Sequence, residues 1–220
     1  MEHEIQFFED EHIYLVDGEE VPSVTTILSP ITQSEYGVVN PSVLAYAARR
    51  GTEVHEYLEQ LDYGNEPEEF NGEIAPYLLA YKKFMRDWKI IWEGVEMLVY
   101  EPVLGFVGTL DRVGILDGRR VIVDIKTLNS PTKLNKFSVC CQTAAYEMAY
   151  MGQTGKIVDS RYALYLGKDG DYNFFSCEEY EEKYGLDPYD TFKCYLEIND
   201  LTRLLRDAKP IKKGVKNGNK

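Results

Sequence analysis

Positive charge is what this chain is short of: 24 lysines and arginines face 37 aspartates and glutamates, for a formal charge of −13 at pH 7. Proteins that hold a polyanion by neutralising many phosphates carry a basic footprint, and that mode of binding is disfavoured here. Charge alone does not decide the matter. A site built from carboxylates is acidic until divalent cations fill it, and the filled site then attracts what the empty one repels. The charge is also uneven, because residues 53 to 73 are rich in acids while the stretch from Lys209 carries five lysines and no acid.

Cysteine is scarce too. Cys140, Cys141, Cys177 and Cys194 form no C-x-x-C pair, and two adjacent cysteines suit neither a metal knuckle nor an ordinary disulfide. Reduced thiols, some in helix cores, are the expectation. No apolar run approaches the roughly 20 residues needed to cross a bilayer, so no membrane association is expected. The opening MEHEIQFFEDE lacks the basic start and apolar middle of a secretory signal, which points to a cytoplasmic protein. There is no G-x-x-x-x-G-K-[ST] loop, so any motor would be another chain, and there is no internal repeat. What is present, 44% hydrophobic and 13% aromatic residues, suits a packed core and rules out a disordered chain.

Periodicity supplies the elements. Ile13 to Val16, a turn at Asp17-Gly18 and Val21 read as a hairpin, followed by a short helix that Ser23 caps and that ends by Pro30. Asn40-Pro41 starts a helix running to about Asp62 on a stripe of Leu44, Ala47, Val54, Leu58 and Leu61. After an acidic loop, Tyr77, Leu78, Tyr81, Phe84, Met85 and Trp88 mark a second helix. VEMLVYEPV, GFVGTLDRVGIL and RRVIVDIKTL are β-branched segments, the last two joined at Asp117-Gly118. A helix from about Asn135 to Met151, a hairpin around Lys168-Asp169-Gly170 and a helix opened by Asp187-Pro188 complete the chain. This order predicts an α/β (α+β) fold, a mixed central β-sheet flanked by helices. It reads as one domain over residues 1–208, with a hairpin and helices in 1–93, a core in 94–208 and a basic flexible tail at 209–220.

The chemistry concentrates in VIVDIKT. Residues two apart on a strand share a face, so Asp124 and Lys126 point together while Ile125 enters the opposite core. Such a pair at the end of an apolar strand is costly unless it has work or a partner. Across the Asp117-Gly118 turn lies Asp111, with Gly108 permitting close backbone approach. Carboxylates converging from neighbouring strands suit a hard cation, Mg²⁺ or Mn²⁺. A lysine beside them can orient an attacking water or offset charge on a phosphate.

G-T-L-D, a hairpin, V-D-I-K-T, and a helix bearing Gln142 and Tyr146 in Q-T-A-A-Y together resemble the PD-(D/E)XK nucleases, specifically their RecB-like branch. That branch carries G-x-x-x-H on an upstream helix, matched here by Gly51 and His55. YLVDGEEVPSVTTIL is similar to the opening of phage-encoded members and to the mitochondrial genome-maintenance exonuclease. The likeness spans residues 12 to 150. It implies a restriction-endonuclease-like core in which His55, Asp111, Asp124 and the backbone carbonyl of Ile125 bind metal. Lys126 would be catalytic with Asp111 and Asp124, and Gln142 and Tyr146 would position the lysine or the DNA. Glu59 and Glu101 are weaker candidates for the metal site, and Ser23 and Thr25 for DNA contact. The iron–sulfur members carry a cysteine before the nuclease core, and none here precedes Cys140, so no cluster is expected.

The function implied is a divalent-metal-dependent DNA exonuclease that prefers single-stranded or end-containing DNA. It would serve phage or bacterial recombination or repair, alongside a recombinase or single-strand-binding partner, in the host cytoplasm if phage-encoded. A structure-specific endonuclease and a non-catalytic DNA- or partner-binding module are the alternatives.

Overall fold

The computed structural model describes residues 3–8, 13–36, 39–66 and 71–208. The basic tail at 209–220 and residues 67–70 of the acidic loop lie outside them. Strands β1 (Ile5–Phe8), β2 (Ile13–Val16) and β3 (Glu19–Val21) form a small antiparallel sheet. Helices α1 (Val24–Ile27), α2 (Ser29–Tyr36), α3 (Pro41–Asp62) and α4 (Ala75–Trp88) follow. The central sheet has the order β4 (Ile91–Glu101), β5 (Phe106–Leu116), β6 (Arg119–Thr127), β7 (Ser160–Leu166), β8 (Tyr172–Ser176). Helix α5 (Lys133–Thr154) is the crossover that makes β6 and β7 parallel, and every other pairing is antiparallel. Helices α6 (Cys177–Tyr184) and α7 (Pro188–Asp207) close the chain. The expected mixed sheet flanked by helices is therefore the observed architecture.

Local chemistry explains most boundaries. Asn40 caps α3 by accepting from the Ser42 amide at 3.0 Å, and Pro41 occupies the first turn. Thr132 and Asn135 cap α5 reciprocally, and Gly155 ends it with φ at 68°. Both Asp-Gly turns place both central residues at positive φ, 52° and 83° at Asp17-Gly18 and 49° and 78° at Asp117-Gly118. That geometry matches the twist of the flanking strands.

Three elements differ from expectation. Strand β1 adds an edge to the first hairpin through pairs such as Ile5 with Val16, a partner too distant in sequence for local pattern to reveal. The short helix capped by Ser23 does end before Pro30, but an unexpected helix, α2, begins at once, with Pro30 in its first turn, where the missing N–H costs nothing. Helix α6 is an element the pattern did not predict, although Ser176 accepts from the Glu179 amide at 3.2 Å in an S-x-x-E start signal.

The core has two layers. On one sheet face Val24, Ile27, Phe106, Leu110, Ile122, Ala145, Tyr150 and Phe192 pack α1, α5 and α7 against the strands. On the other, Val54, Leu58, Tyr81, Phe84, Val121, Val123 and Ile125 join α3 and α4 to it. Neighbours along β6 thus enter opposite layers, as a strand requires. Between them runs a buried polar tie. Arg112 is fully buried, and its Nε donates to Asp62 at the end of α3 at 2.6 Å. Its Nη1 donates to Glu96 at 2.8 Å and to the Asp111 carbonyl at 2.7 Å. Asp62 also accepts from the Tyr81 hydroxyl, which accepts from Trp92 Nε1 at 3.0 Å.

Removing the cation leaves Asp62 in the core without its counter-charge. Arg112→Met is expected to destabilise the fold by about 3–5 kcal/mol, read as a fall in the urea midpoint. An unchanged midpoint would mean that the tie carries no net stability.

Candidate metal centre

The site is made by a fork in the sheet. Strand β5 pairs with β6 from Leu116↔Arg119 to Arg112↔Val123 and no further. Beyond that point β5 continues beside β4, as far as Glu101↔Phe106, while β6 continues beside β7, as far as Thr127↔Leu166. Asp111 and Asp124 are the first residues past the split. In place of a ladder bond, Asp111 Oδ2 accepts from the Ile125 amide at 2.7 Å, so a side chain props the fork open. Main-chain groups released here must find other partners, and this one has.

His55 closes the gap from α3. Its Nε2 lies 3.2 Å from the Ile125 carbonyl, and its Nδ1 lies 3.1 Å from Glu96 Oε1 and 4.0 Å from Asp111 Oδ1. Ligand atoms of His55, Glu96 and Asp111 all lie within 4.8 Å of one another. Asp124 is turned toward Lys126, whose Nζ donates to Oδ1 at 3.0 Å and lies 2.8 Å from Oδ2. The second contact has an ion-pair distance without hydrogen-bond geometry, which leaves Oδ2 buried and without a hydrogen bond. A buried carboxylate oxygen in that condition is a ready ligand. Carboxylates, one carbonyl and one imidazole fit a hard divalent cation that prefers oxygen.

Of the residues expected at the metal, His55 and Asp111 are grouped with Glu96 and the Ile125 carbonyl is in reach of His55, whereas Asp124 is outside that group and paired with Lys126. Gln142 and Tyr146 lie behind them on α5, both buried, with Gln142 Nε2 donating to the Tyr146 hydroxyl at 3.1 Å. The ring of Tyr146 lies on the bare backbone of Gly108, where a Cβ would stand 2.7 Å from Cε1. The glycine seen in sequence thus admits an aromatic ring.

Glu96 was missed. It sits on β4 opposite Asp111, with φ at 46°, a conformation that costs a non-glycine residue energy and is held by its pairs to His55 and Arg112. Glu101, on the same strand, is a correction. It lies at the far end of the ladder, where Oε1 caps the Val103 amide at 2.9 Å and Phe106 is its strand partner, five residues or roughly 17 Å along β5 from Asp111. Glu59 is half-buried one turn past His55 and is not among the grouped ligands. Ser23 is buried and its hydroxyl is committed to Thr25 and Thr26, capping α1 as its sequence position suggested.

Burial, countered in part by Lys126 and reinforced by Asp111, pushes Asp124 up to about 7. Burial alone would lower His55, yet Asp111 and Glu96 prevail and raise it. Burial would likewise strip the proton from Lys126, but Asp124 and Asp111 raise its pKa and keep it an ammonium. Tyr146 is held far above the ordinary phenol range by burial and by the charges of Asp111 and Asp124, so it stays a donor.

No protein-family model matches the chain, and no curated protein matches it by sequence. Among solved structures it is similar to the alkaline exonuclease LHK-Exo from Laribacter hongkongensis, at 18% identity over 77% of this chain and 88% of that one, with a TM-score of 0.31. LHK-Exo in complex with dAMP gives 16% over 84% and 92%, TM-score 0.34. The structure of SSO0001 gives 14% over 83% and 85%, TM-score 0.34. Likeness this slight carries no weight for activity, which rests on the site itself.

The proton balance sets a pH dependence. Asp124 and His55 both have raised values, so the stability they contribute is present at low pH and is lost as pH rises, through about 7 for Asp124. The metal-free protein should therefore melt lower at pH 8 than at pH 6. Mn²⁺ requires the carboxylate and neutral imidazole, so the rise in melting temperature that it causes should be larger at pH 8. An equal Mn²⁺ shift at both values would separate these groups from the metal.

Proposed function

We propose that the chain is a divalent-metal-dependent DNA nuclease that works from a free end, a single nuclease domain over residues 1–208 of the PD-(D/E)XK kind. The observation that carries this reading is the fork: ligand atoms of His55, Glu96 and Asp111 converge, His55 reaches the Ile125 carbonyl, and Asp124 with Lys126 stands just past the split, an arrangement a merely structural role does not need. Mg²⁺ or Mn²⁺ held there would supply Lewis acidity toward a phosphate oxygen and a more acidic bound water.

The chain's own groups do the rest. Lys126 is protonated and only partly exposed, and its Nζ can share its hydrogens between Asp124 and an incoming phosphate oxygen or water. Charge that grows on the phosphate as the P–O bond breaks is then met by a fixed ammonium in a partly desolvated site. Asp111 is locked by the Ile125 amide and cannot drift as ligands exchange. Tyr146 and Gln142 fix the back wall, and the phenol keeps its proton in the presence of both aspartates. With a net charge of −13, broad docking on a duplex is opposed, which favours local grip on a few nucleotides of a strand that enters by its end.

Two variants separate ligand from lysine. Asp124→Ala should cut end-labelled DNA at background rate while remaining folded, because deleting one crowded carboxylate relieves repulsion in the metal-free protein. Lys126→Ala should lose about 10²–10³-fold in rate and still bind Mn²⁺ in calorimetric titration. Wild-type cleavage by a folded Asp124→Ala protein would remove the metal centre from the chemistry. Loss of Mn²⁺ binding in Lys126→Ala would make the lysine part of the ligand set.

The requirement for an end is tested with linear and covalently closed circular single-stranded DNA of one sequence, in Mg²⁺ and in Mn²⁺. The linear form should disappear while the circle persists. Equal loss of both would establish an endonuclease, and persistence of both a binding module.

A further inference from the structure

Beside Lys126 the surface opens into a cavity of about 350 Å³. Its walls come from α2 through Ile31, from α3 through Leu44 and Arg50, and from the start of α5 through Leu134 and Ser138. Its lining also includes Lys126 and Gln142, so it is continuous with the metal centre. Two properties set it apart from the rest of the molecule. In a chain of charge −13, its lining among the described residues contains two cations and no aspartate or glutamate. Leu44 and Leu134, both on its walls, are more than a third exposed, so apolar surface faces it uncovered.

We propose that this cavity seats one unpaired nucleobase of the strand whose phosphate lies at Lys126. The inference rests on the nuclease reading and adds to it the form of DNA that fits. Whatever is bonded to a phosphate at Lys126 has this cavity as the adjoining space. A nucleobase has apolar faces and a polar rim, and the lining offers aliphatic walls together with the polar groups of Asn135, Ser138 and Gln142. The volume lies at the lower end of the range that small ligands occupy. One base and its sugar suit such a space, whereas a base pair brings a partner and a second backbone. Arg50 adds positive charge at the wall: Nη2 donates to the Thr127 carbonyl at 3.2 Å, and the guanidinium lies 5.2 Å from the Tyr77 ring centre. Aliphatic walls grip the face that every base has, so the pocket accepts any sequence. Single-stranded or frayed ends are thereby selected over closed duplex without any reading of bases.

The test uses binding, so that it does not depend on cleavage. Fluorescence anisotropy with a short labelled oligothymidylate and an abasic oligonucleotide of equal length, both in Ca²⁺, compares the wild type with Ser138→Leu and Ala47→Leu. These substitutions narrow the cavity from two different helices and replace no residue of the metal centre. The wild type should bind the oligothymidylate at least tenfold more tightly than the abasic strand, and both variants should lose that advantage. Wild-type affinity in either variant that melts normally, or equal wild-type affinity for the two strands, overturns the proposal. The nuclease reading fails separately, when a wild type that prefers the oligothymidylate cuts nothing in Mn²⁺.

Discussion

Everything at the fork depends on balancing buried negative charge. Asp62, Glu96, Asp111 and Asp124 crowd one end of the sheet, and the side chains available to offset them are Arg112, Lys126 and His55. Desolvation of an isolated carboxylate is costly enough to neutralise it. The fold answers differently for each. Asp62 and Glu96 share the fully buried Arg112, Asp111 accepts a backbone amide, and Asp124, paired with Lys126, has a pKa pushed up to about 7. The least satisfied carboxylate is thus the one beside the lysine. A divalent cation would complete the balance.

The same economy explains the strained and irregular features nearby. The ladder between β5 and β6 stops where Asp111 takes the Ile125 amide, and Glu96 adopts a left-handed backbone conformation on the opposite strand. Residues level with one another on neighbouring strands share a face, so Asp111 stands between Glu96 on β4 and Asp124 on β6. The network through Arg112 holds Glu96 there.

Sequence reading anticipated the mixed sheet and its flanking helices, and it named His55, Asp111, Asp124, Ile125 and Lys126, which the fold places near one another, because each signal is encoded locally. Asn40-Pro41, the Asp117-Gly118 turn and V-D-I-K-T all act within a few residues of themselves. Glu96 was not legible for a geometric reason. The turn after Asp111, leading into β6, is a two-residue Asp-Gly hairpin that fixes register, whereas β4 and β5 are joined through Pro102 to Gly105, which gives no such count. The choice between Glu96 and Glu101 needed that register. Arg112 and Asp62 were hidden likewise, since a charged residue in a strand reads as exposed unless its partner, 50 positions away, is known. Helix α6 was legible in its S-x-x-E start, but it spans only two turns and has one buried residue, Cys177, so it carries no apolar stripe to mark it.

The contact between Tyr146 and Gly108 ties two distances together. With no side chain at 108, α5 approaches the sheet as closely as an aromatic ring on bare backbone permits. The first turns of that helix wall the cavity, and its middle carries Gln142 and Tyr146 behind the ligands. A rigid helix seated at one point can tilt but cannot move these ends independently. The width of the cavity and the depth of the metal centre are therefore one mechanical coordinate, and a methyl group at residue 108 would change both.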